Sequence, residues 1–188
     1  MSGTYRPSIR DLLHRYNRRA LLDRLHALVD PAGCRLLDLG GGSGVTTLGF
    51  AKGAREVCVL EPDPRKTERG VRAGAPVTFV NAVAEAIPFD GGRFDRVVSL
   101  MSFHHFSDGA KACEEAARVL APGGRFVVYD IHRSSLAARW LSVVARHRGH
   151  SALSFASVEE LTQRLSAAGF RSVRVEPYRS GSFVVGER

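Results

Sequence analysis

The chain has 188 residues, 44% hydrophobic and 24% charged, which suits one globular domain and excludes a disordered or low-complexity chain. Its formal charge is +8, yet residues 31–130 are neutral and the excess lies in residues 1–30 and 131–188. Basic flanks of that kind attract an acidic substrate, a membrane surface or RNA, but only three of the 27 cations are Lys, so a bias toward Arg accounts for the total equally well.

The segment 8–29 places Ile9, Leu12, Leu13, Tyr16, Ala20, Leu21, Leu25, Leu28 and Val29 at recurring spacings of three and four, a helix that Pro31 and Gly33 stop. Arg35 to Leu39 reads as a strand, and Gly44 to Lys52 as a helix after a glycine turn. A strand at Glu56 to Leu60, a helix from Pro64 to Ala73 and a short strand at Val77 to Val80 follow. Next come a strand at Phe94 to Leu100, a helix from Asp108 to Leu120 and a strand at Arg125 to Asp130, with Pro122-Gly123-Gly124 as the turn between the last two. Ser134 to Arg146 is helical, with Leu136, Trp140, Val143 and Val144 on one side. Ser157, with Glu160 three residues on, opens a helix that ends at Gly169. Arg171 to Glu176 and Ser182 to Val185 close the chain as a hairpin.

Strands alternating with helices predict an α/β fold of Rossmann-like form. Its seven-stranded sheet is mostly parallel, with an antiparallel C-terminal hairpin and helices on both faces. The chain divides, within a single domain 1–188, into a helical cap at 1–30, a core at 31–130, a basic lid segment at 131–156 and a C-terminal helix and hairpin at 157–188. No apolar run reaches the roughly 18 residues of a spanning helix, and the opening Met-Ser-Gly-Thr-Tyr-Arg holds no apolar signal core. The expectation is a cytoplasmic protein whose Cys34, Cys58 and Cys113 are reduced thiols.

Residues 36–44, Leu-Leu-Asp-Leu-Gly-Gly-Gly-Ser-Gly, carry most of the functional information. A strand that breaks into glycines before a helix leaves backbone amides facing a ligand, and Gly40, Gly42 and Gly44 admit close approach. Val45 occupies the place where a dinucleotide loop needs its third glycine, and no Gly-Lys-Ser/Thr follows, so pyrophosphate and P-loop readings are disfavoured. A G-x-G-x-G turn with Asp38 suits an adenosine with a zwitterionic amino-acid tail, whose ammonium a carboxylate can meet. Glu61 lies nineteen residues after Gly42, at the tip of the second strand, where it can accept both hydroxyls of a ribose. Pro62 lines the ribose or adenine edge. Asn81 to Phe89 forms an adenine wall, with backbone N–H of Ala84 or Glu85 toward the ring and Val83 and Ile87 about the base.

Taken in order, the stretches Leu-Asp-Leu-Gly-Gly-Gly-Ser-Gly, Leu-Glu-Pro-Asp, Ala-Glu-Ala-Ile-Pro-Phe, Phe-Asp-Arg-Val-Val-Ser-Leu-Met-Ser-Phe-His-His-Phe and Arg-Val-Leu-Ala-Pro-Gly-Gly-Arg-Phe resemble the class I S-adenosylmethionine-dependent methyltransferases. The similarity covers about residues 35–130 and is strongest to the ubiquinone, menaquinone and small natural-product branch. It implies S-adenosyl-L-methionine as cofactor and S-adenosyl-L-homocysteine as product. It implies that Asp38, Gly40, Gly41, Gly42 and Ser43 hold the methionine moiety, that Glu61 binds the ribose, that Val83 and Ala84 frame the adenine, and that Leu100 lies under the cofactor. Val83 departs from the family, which often has Asp or Asn there for the adenine amino group. Either Glu85 takes that role or backbone and packing hold the base.

Methyl transfer needs a protein base only where the acceptor must first lose a proton. His104 and His105 are the candidates, with His132 and Asp130 behind them. Adjacent His residues without a placed carboxylate argue against a metal. Arg133, Arg139, Arg146 and Arg148, with Trp140 and no acid nearby, read as a basic amphipathic lid over an acidic or lipid-like acceptor, and leave peripheral membrane contact open. The expected function is methylation of a small molecule. One alternative is a cofactor-binding protein of the same fold with a cyclase-like or regulatory role. A third reading, an RNA methyltransferase, is disfavoured by the absence of an aromatic stacking platform, and no DNA partner is expected.

Overall fold

The computed structural model describes residues 18–147 and 153–188. Residues 8–17 of the expected first helix and Arg148 of the basic segment lie outside them. The chain runs α1 (Arg18–Val29), β1 (Arg35–Leu39), α2 (Val45–Phe50), β2 (Glu56–Leu60), α3 (Pro64–Arg72), β3 (Thr78–Val80) and β4 (Phe94–Leu100). A 3-10 turn at Phe103–His105 leads into α4 (Gly109–Val119), β5 (Leu120–Ile131), α5 (Leu136–His147), α6 (Val158–Ala167), β6 (Arg171–Tyr178) and β7 (Gly181–Glu187).

The seven strands form one sheet in the order β3-β2-β1-β4-β5-β7-β6. Pairings from β3 through β5 are parallel, and β7 runs antiparallel to both β5 and β6. The chain leaves β1 toward β2 and returns on its other side as β4, so the order reverses between β1 and β4. A crevice opens at the carboxyl ends of strands at such a point.

Two apolar layers cover the sheet. On one face Leu25, Val29, Phe50, Ala138 and Leu141 of α1, α2 and α5 pack on Leu36, Val98 and Val127. On the other, Ala112, Cys113, Ala116, Leu161 and Leu165 of α4 and α6 pack on Leu37, Leu39, Val97 and Phe126. Alternation along β1 therefore sends Leu36 to the first face and Leu37 and Leu39 to the second, and Asp38 points to the side where α2 lies. Burial explains the thiols: desolvation pushes Cys58 up to about 11 and Cys113 up to about 12, so both stay protonated and inert at neutral pH.

Local chemistry sets the helix ends. Asp63 caps α3 by accepting from the Arg65 amide, with Pro64 at the first position. Asp108 caps α4 through the amides of Ala110 and Lys111. Both halves of the Ser157–Glu160 capping box are made at α6. The expected turn at Pro122-Gly123-Gly124 is instead an excursion within β5. Leu120 already pairs with Phe94, and the regular register resumes at Arg96 and Arg125 after an irregularity.

At the opposite, amino end of the strands, Arg35 clamps Asp95 with Nε–Oδ2 at 3.1 Å and Nη2–Oδ1 at 2.8 Å. These hydrogen bonds hold the Asp95 carboxyl at about 2, below its ordinary 3.8. A depressed carboxylate stabilises the fold above its unfolded value, and the gain is lost as the pH falls through about 2. Asp95→Asn is expected to lower the urea midpoint at pH 7 and to do so less near pH 2, measured by denaturation at both pH values.

Candidate active site

The site is built where β1 and β4 diverge. Gly40 continues β1 by donating its N–H to the Leu60 carbonyl at 2.7 Å and turns with a φ of 72°. A Cβ there would lie 2.6 Å from Ser102 Cβ, so the turn presses directly against the segment after β4. Ser102 locks the contact from its side. Its hydroxyl donates to the Leu39 carbonyl at 2.7 Å and lies 2.8 Å from the Ser99 hydroxyl, with both serines buried. Met101, between them, takes a φ of 52°, a strained value for an unbranched non-glycine residue. The strain redirects the chain from β4 into the 3-10 turn that carries His104 and His105.

Two buried carboxylates flank the turn. Asp38 accepts a hydrogen bond from Thr47 Oγ1 of α2 at 2.6 Å. Glu61 Oε2 accepts from the Gly42 amide at 3.2 Å, and Oε1 accepts from the Asp63 amide at 3.2 Å and from Lys66 Nζ at 2.9 Å. Glu61 thus sits against the rim of the glycine turn, as the spacing predicted. The half-exposed Lys66 is its detachable partner, since an ion pair reaching solvent contributes about 0–1 kcal/mol. Asn81 braces the backbone behind it, donating to the Glu61 carbonyl at 3.0 Å and to Thr67 Oγ1 at 3.2 Å.

The adenine wall differs from expectation in three respects. Glu85 Oε1 accepts from the amides of Ser107 and Asp108, so this oxygen organises the entry to α4. Ile87 and Ala84 are buried in the α4–α6 face, and the Ile87 amide donates to Glu115 at 2.9 Å, which makes Ile87 core rather than a cover for a base. Val83 is left exposed beside them, as is Pro62. Leu100 is packed fully inside the core of the other face, while Ser43 is half-buried in the turn.

The two histidines separate in role. His104 is buried, with Nδ1 2.9 Å from both oxygens of Asp130, and its amide donates to Asp130 at 3.0 Å. Its ring stacks on Phe155 at 4.6 Å, and its carbonyl accepts from the Ser154 amide at 3.0 Å. This ties the post-β4 turn to the strap between α5 and α6. His105 is exposed, its ring 4.3 Å from that of His104. His132 turns away to Ser182, with Nε2 2.9 Å from its Oγ. Burial pushes the Tyr129 phenol up to about 12, so it holds its proton at neutral pH.

The sequence pointed to neither Thr47 nor Phe155; it put Asn81 in the adenine wall, where the structure has it brace Glu61, and Ser99 and Ser102 in the stretch facing the ligand, where their hydroxyls instead join the turn to β1. Thr47 carries the one available signal: a hydroxyl nine residues after Asp38, in the first turn of the following helix, falls opposite the strand carboxylate.

The donor set fits an adenosine bearing an amino-acid tail. It offers a turn that tolerates no Cβ at Gly40, backbone amides at the rim, and two buried carboxylates 23 positions apart in sequence but on either side of that turn. Comparison with known proteins decides the family. Residues 13–175 match the family described as a methyltransferase domain. The chain belongs to that family. Among relatives, it is 33% identical over 147 residues to 2-methyl-6-phytyl-1,4-hydroquinone methyltransferase 2 of Oryza sativa subsp. japonica, which covers 76% of this chain and 40% of the rice protein. It is 29% identical over 170 residues to the demethylmenaquinone methyltransferase of Clavibacter sepedonicus, covering 78% and 69% of the two chains. The chain therefore spans less than half the length of the rice relative. Among solved structures, YcgJ from Bacillus subtilis superposes with a TM-score of 0.71 at 26% identity, over 82% of this chain and 69% of that one. The S-adenosylmethionine-dependent methyltransferase of Mesorhizobium loti gives 0.75 at 20% identity, over 90% and 96%. The methyltransferase form of the Rossmann-like fold is thereby established, with its seven strands and its antiparallel C-terminal pair.

Proposed function

We propose that this methyltransferase-family chain transfers a methyl group from S-adenosylmethionine to a small-molecule acceptor, and that the acceptor is a hydroquinone-type ring carrying a hydrocarbon chain. The observation that carries the first half is the buried Glu61 carboxylate hydrogen-bonded to the rim of the glycine turn at the β1–β4 crossing. The second half is supported by the rice and Clavibacter relatives, whose names specify quinone-type acceptors.

When bound, S-adenosylmethionine supplies an electrophilic methyl group on a sulfonium. The chain's own residues then have the task of holding and drying the site. Glu61 accepts the ribose hydroxyls in exchange for Lys66. Asp38 and the turn from Gly40 to Ser43 take the amino-acid tail, while Val83, Pro62 and the backbone at Ala84 line the base. The adenine is held by backbone and packing, since Glu85 is engaged with the Ser107 and Asp108 amides. His105, exposed beside His104, is the group that can take a phenolic proton from the acceptor. His104, fixed by Asp130 and Phe155, positions that turn rather than touching the acceptor.

The decisive assay is turnover with S-adenosylmethionine labelled in the methyl group and a detergent-dispersed prenylated hydroquinone. Label in the extracted quinol is the expected result. Cofactor binding without incorporation into any quinol, phenol or amine acceptor contradicts transfer and favours the non-methylating alternative. The fold itself accommodates that alternative: the [4+2]-cyclase SpnF superposes with a TM-score of 0.76 at 18% identity, over 90% of this chain and 80% of that one, a likeness of fold alone.

A further inference from the structure

The sequence places Leu136, Trp140 and Val143 along one side of α5, and such a stripe ordinarily packs inward. Here it does not. Among the described side chains of α5, Ala138 and Leu141 are buried against the sheet, while Leu136, Trp140 and Val143 are 80%, 52% and 47% exposed. At 100° per residue the exposed three fall within about 60° of one another, on the far side of the helix from the buried pair. The helix thus carries two apolar faces, of which the core uses one.

The segment that carries the outer face is cationic in sequence. Residues 131–158 contain four Arg and three His and no acidic residue. Arg139 and Val143, on the flank of the stripe, line a cavity of about 650 Å³ together with Arg133, Arg164 and Ser154. The one carboxylate in that lining, Glu160, is committed to Arg133 at 2.7 Å and 2.8 Å and is held below the ordinary glutamate range by the Ser157 amide and Arg133. Phe155, whose ring stacks on His104, also lines the cavity. An exposed row of Leu, Trp and Val edged by Arg, with no acid on the segment, is complementary to the interface of an anionic bilayer, where a Trp ring sits at headgroup depth and guanidinium groups meet lipid phosphates.

We propose that α5 docks this protein on the surface of an anionic phospholipid bilayer, with Leu136, Trp140 and Val143 inserted and Arg139 at the phosphate level. Docking so places the mouth of the arginine-lined cavity at the bilayer surface, one aromatic ring from His104. The inference stands on α5 without any cofactor; only the corollary that an acceptor with a long hydrocarbon chain is drawn from that bilayer rests on the reading above.

Trp140 is the chain's single tryptophan and reports directly. The experiment titrates the protein, without cofactor, with vesicles of phosphatidylglycerol and phosphatidylcholine in equal parts, or of phosphatidylcholine alone, following Trp emission and co-sedimentation. The expected result is a shift to shorter wavelength and co-sedimentation with the anionic vesicles, with affinity at least about tenfold lower for the neutral ones and lost at 0.5 M salt. Arg139→Glu, which changes the local charge by two, is expected to weaken binding about thirtyfold. Leu136→Ser/Val143→Ser keeps the reporter and is expected to weaken binding about tenfold or more, with an unchanged circular dichroism melt. Unshifted emission with anionic vesicles overturns the proposal, as does equal binding to both vesicle types or equal binding by the variants. A stable dimer that the double variant dissociates, with no vesicle binding, also overturns it and assigns the stripe to a second copy. S-adenosylhomocysteine binding is measured separately, so failure here leaves the cofactor reading intact.

Discussion

Glu61→Ala is expected to reduce affinity for S-adenosylmethionine about a hundredfold or more. Two charge-assisted hydrogen bonds to ribose hydroxyls contribute about 1.5–3 kcal/mol each, and no neighbouring group replaces them. Lys66, the present partner of Oε1, is a cation and cannot accept from a hydroxyl. Because Glu61 also receives the Gly42 and Asp63 amides, the Ala variant loosens the turn as well. Glu61→Gln separates the two effects. It keeps the shape and one acceptor oxygen, but its NH2 must face either the Gly42 or the Asp63 amide, so the melting temperature falls less than in the Ala variant while affinity falls about tenfold. Calorimetric titration of the three proteins, beside their thermal melts, checks both expectations. Equal affinity in all three removes Glu61 from the site.

The second large effect is Gly40→Val. At a φ of 72° a β-branched side chain is strained, and its Cβ would lie 2.6 Å from Ser102 Cβ, an atom fixed by two hydroxyl hydrogen bonds. The left-handed backbone costs about 1–2 kcal/mol and the overlap about 1–3 kcal/mol more. Loss of about 2–5 kcal/mol is therefore expected in urea denaturation, together with loss of cofactor binding. Gly33→Ala is the control: its φ is similar, 69°, but nothing lies within 4 Å of its Cβ. It should carry the backbone cost alone and bind cofactor normally.

The fold was largely legible because its signals are local. The apolar strands, the Asp108 and Ser157 caps, the Pro64 start and the glycine turn each depend on residues within a few positions. Covering both faces of a parallel sheet gives unbroken apolar runs, which are hard to mistake. The position of Glu61 beside the glycine turn was legible for the same reason, since its distance from Gly42 follows from one strand–helix–strand unit. What escaped depends on contacts across the chain. Thr47 reads as an ordinary helix residue until α2 is laid over β1. Ser102 meets the Leu39 carbonyl 63 positions away, and Phe155 meets His104 across 51. The Pro122-Gly123-Gly124 segment reads as a turn because its residues favour one, yet Leu120 pairs with Phe94 before it, so the chain counts it within β5. Glu85 and Ile87 were given to the adenine on position alone. The amides of Ser107 and Asp108 and the carboxylate of Glu115 claim them instead. On α5 the periodicity grouped Leu136, Trp140, Val143 and Val144, of which the first three are exposed and Val144 half-buried, because periodicity does not tell which side meets the core.

A turn and a flanking carboxylate shaped for an adenosine with an amino-acid tail lie at the centre of the proposed site. Calorimetric titration of the wild-type chain with S-adenosyl-L-homocysteine tests this most directly, because it needs no acceptor and no turnover. Saturable binding at one site per chain, competitive with S-adenosylmethionine and greatly weakened in Glu61→Ala, is the expected result. A flat titration with folded protein at millimolar ligand contradicts it.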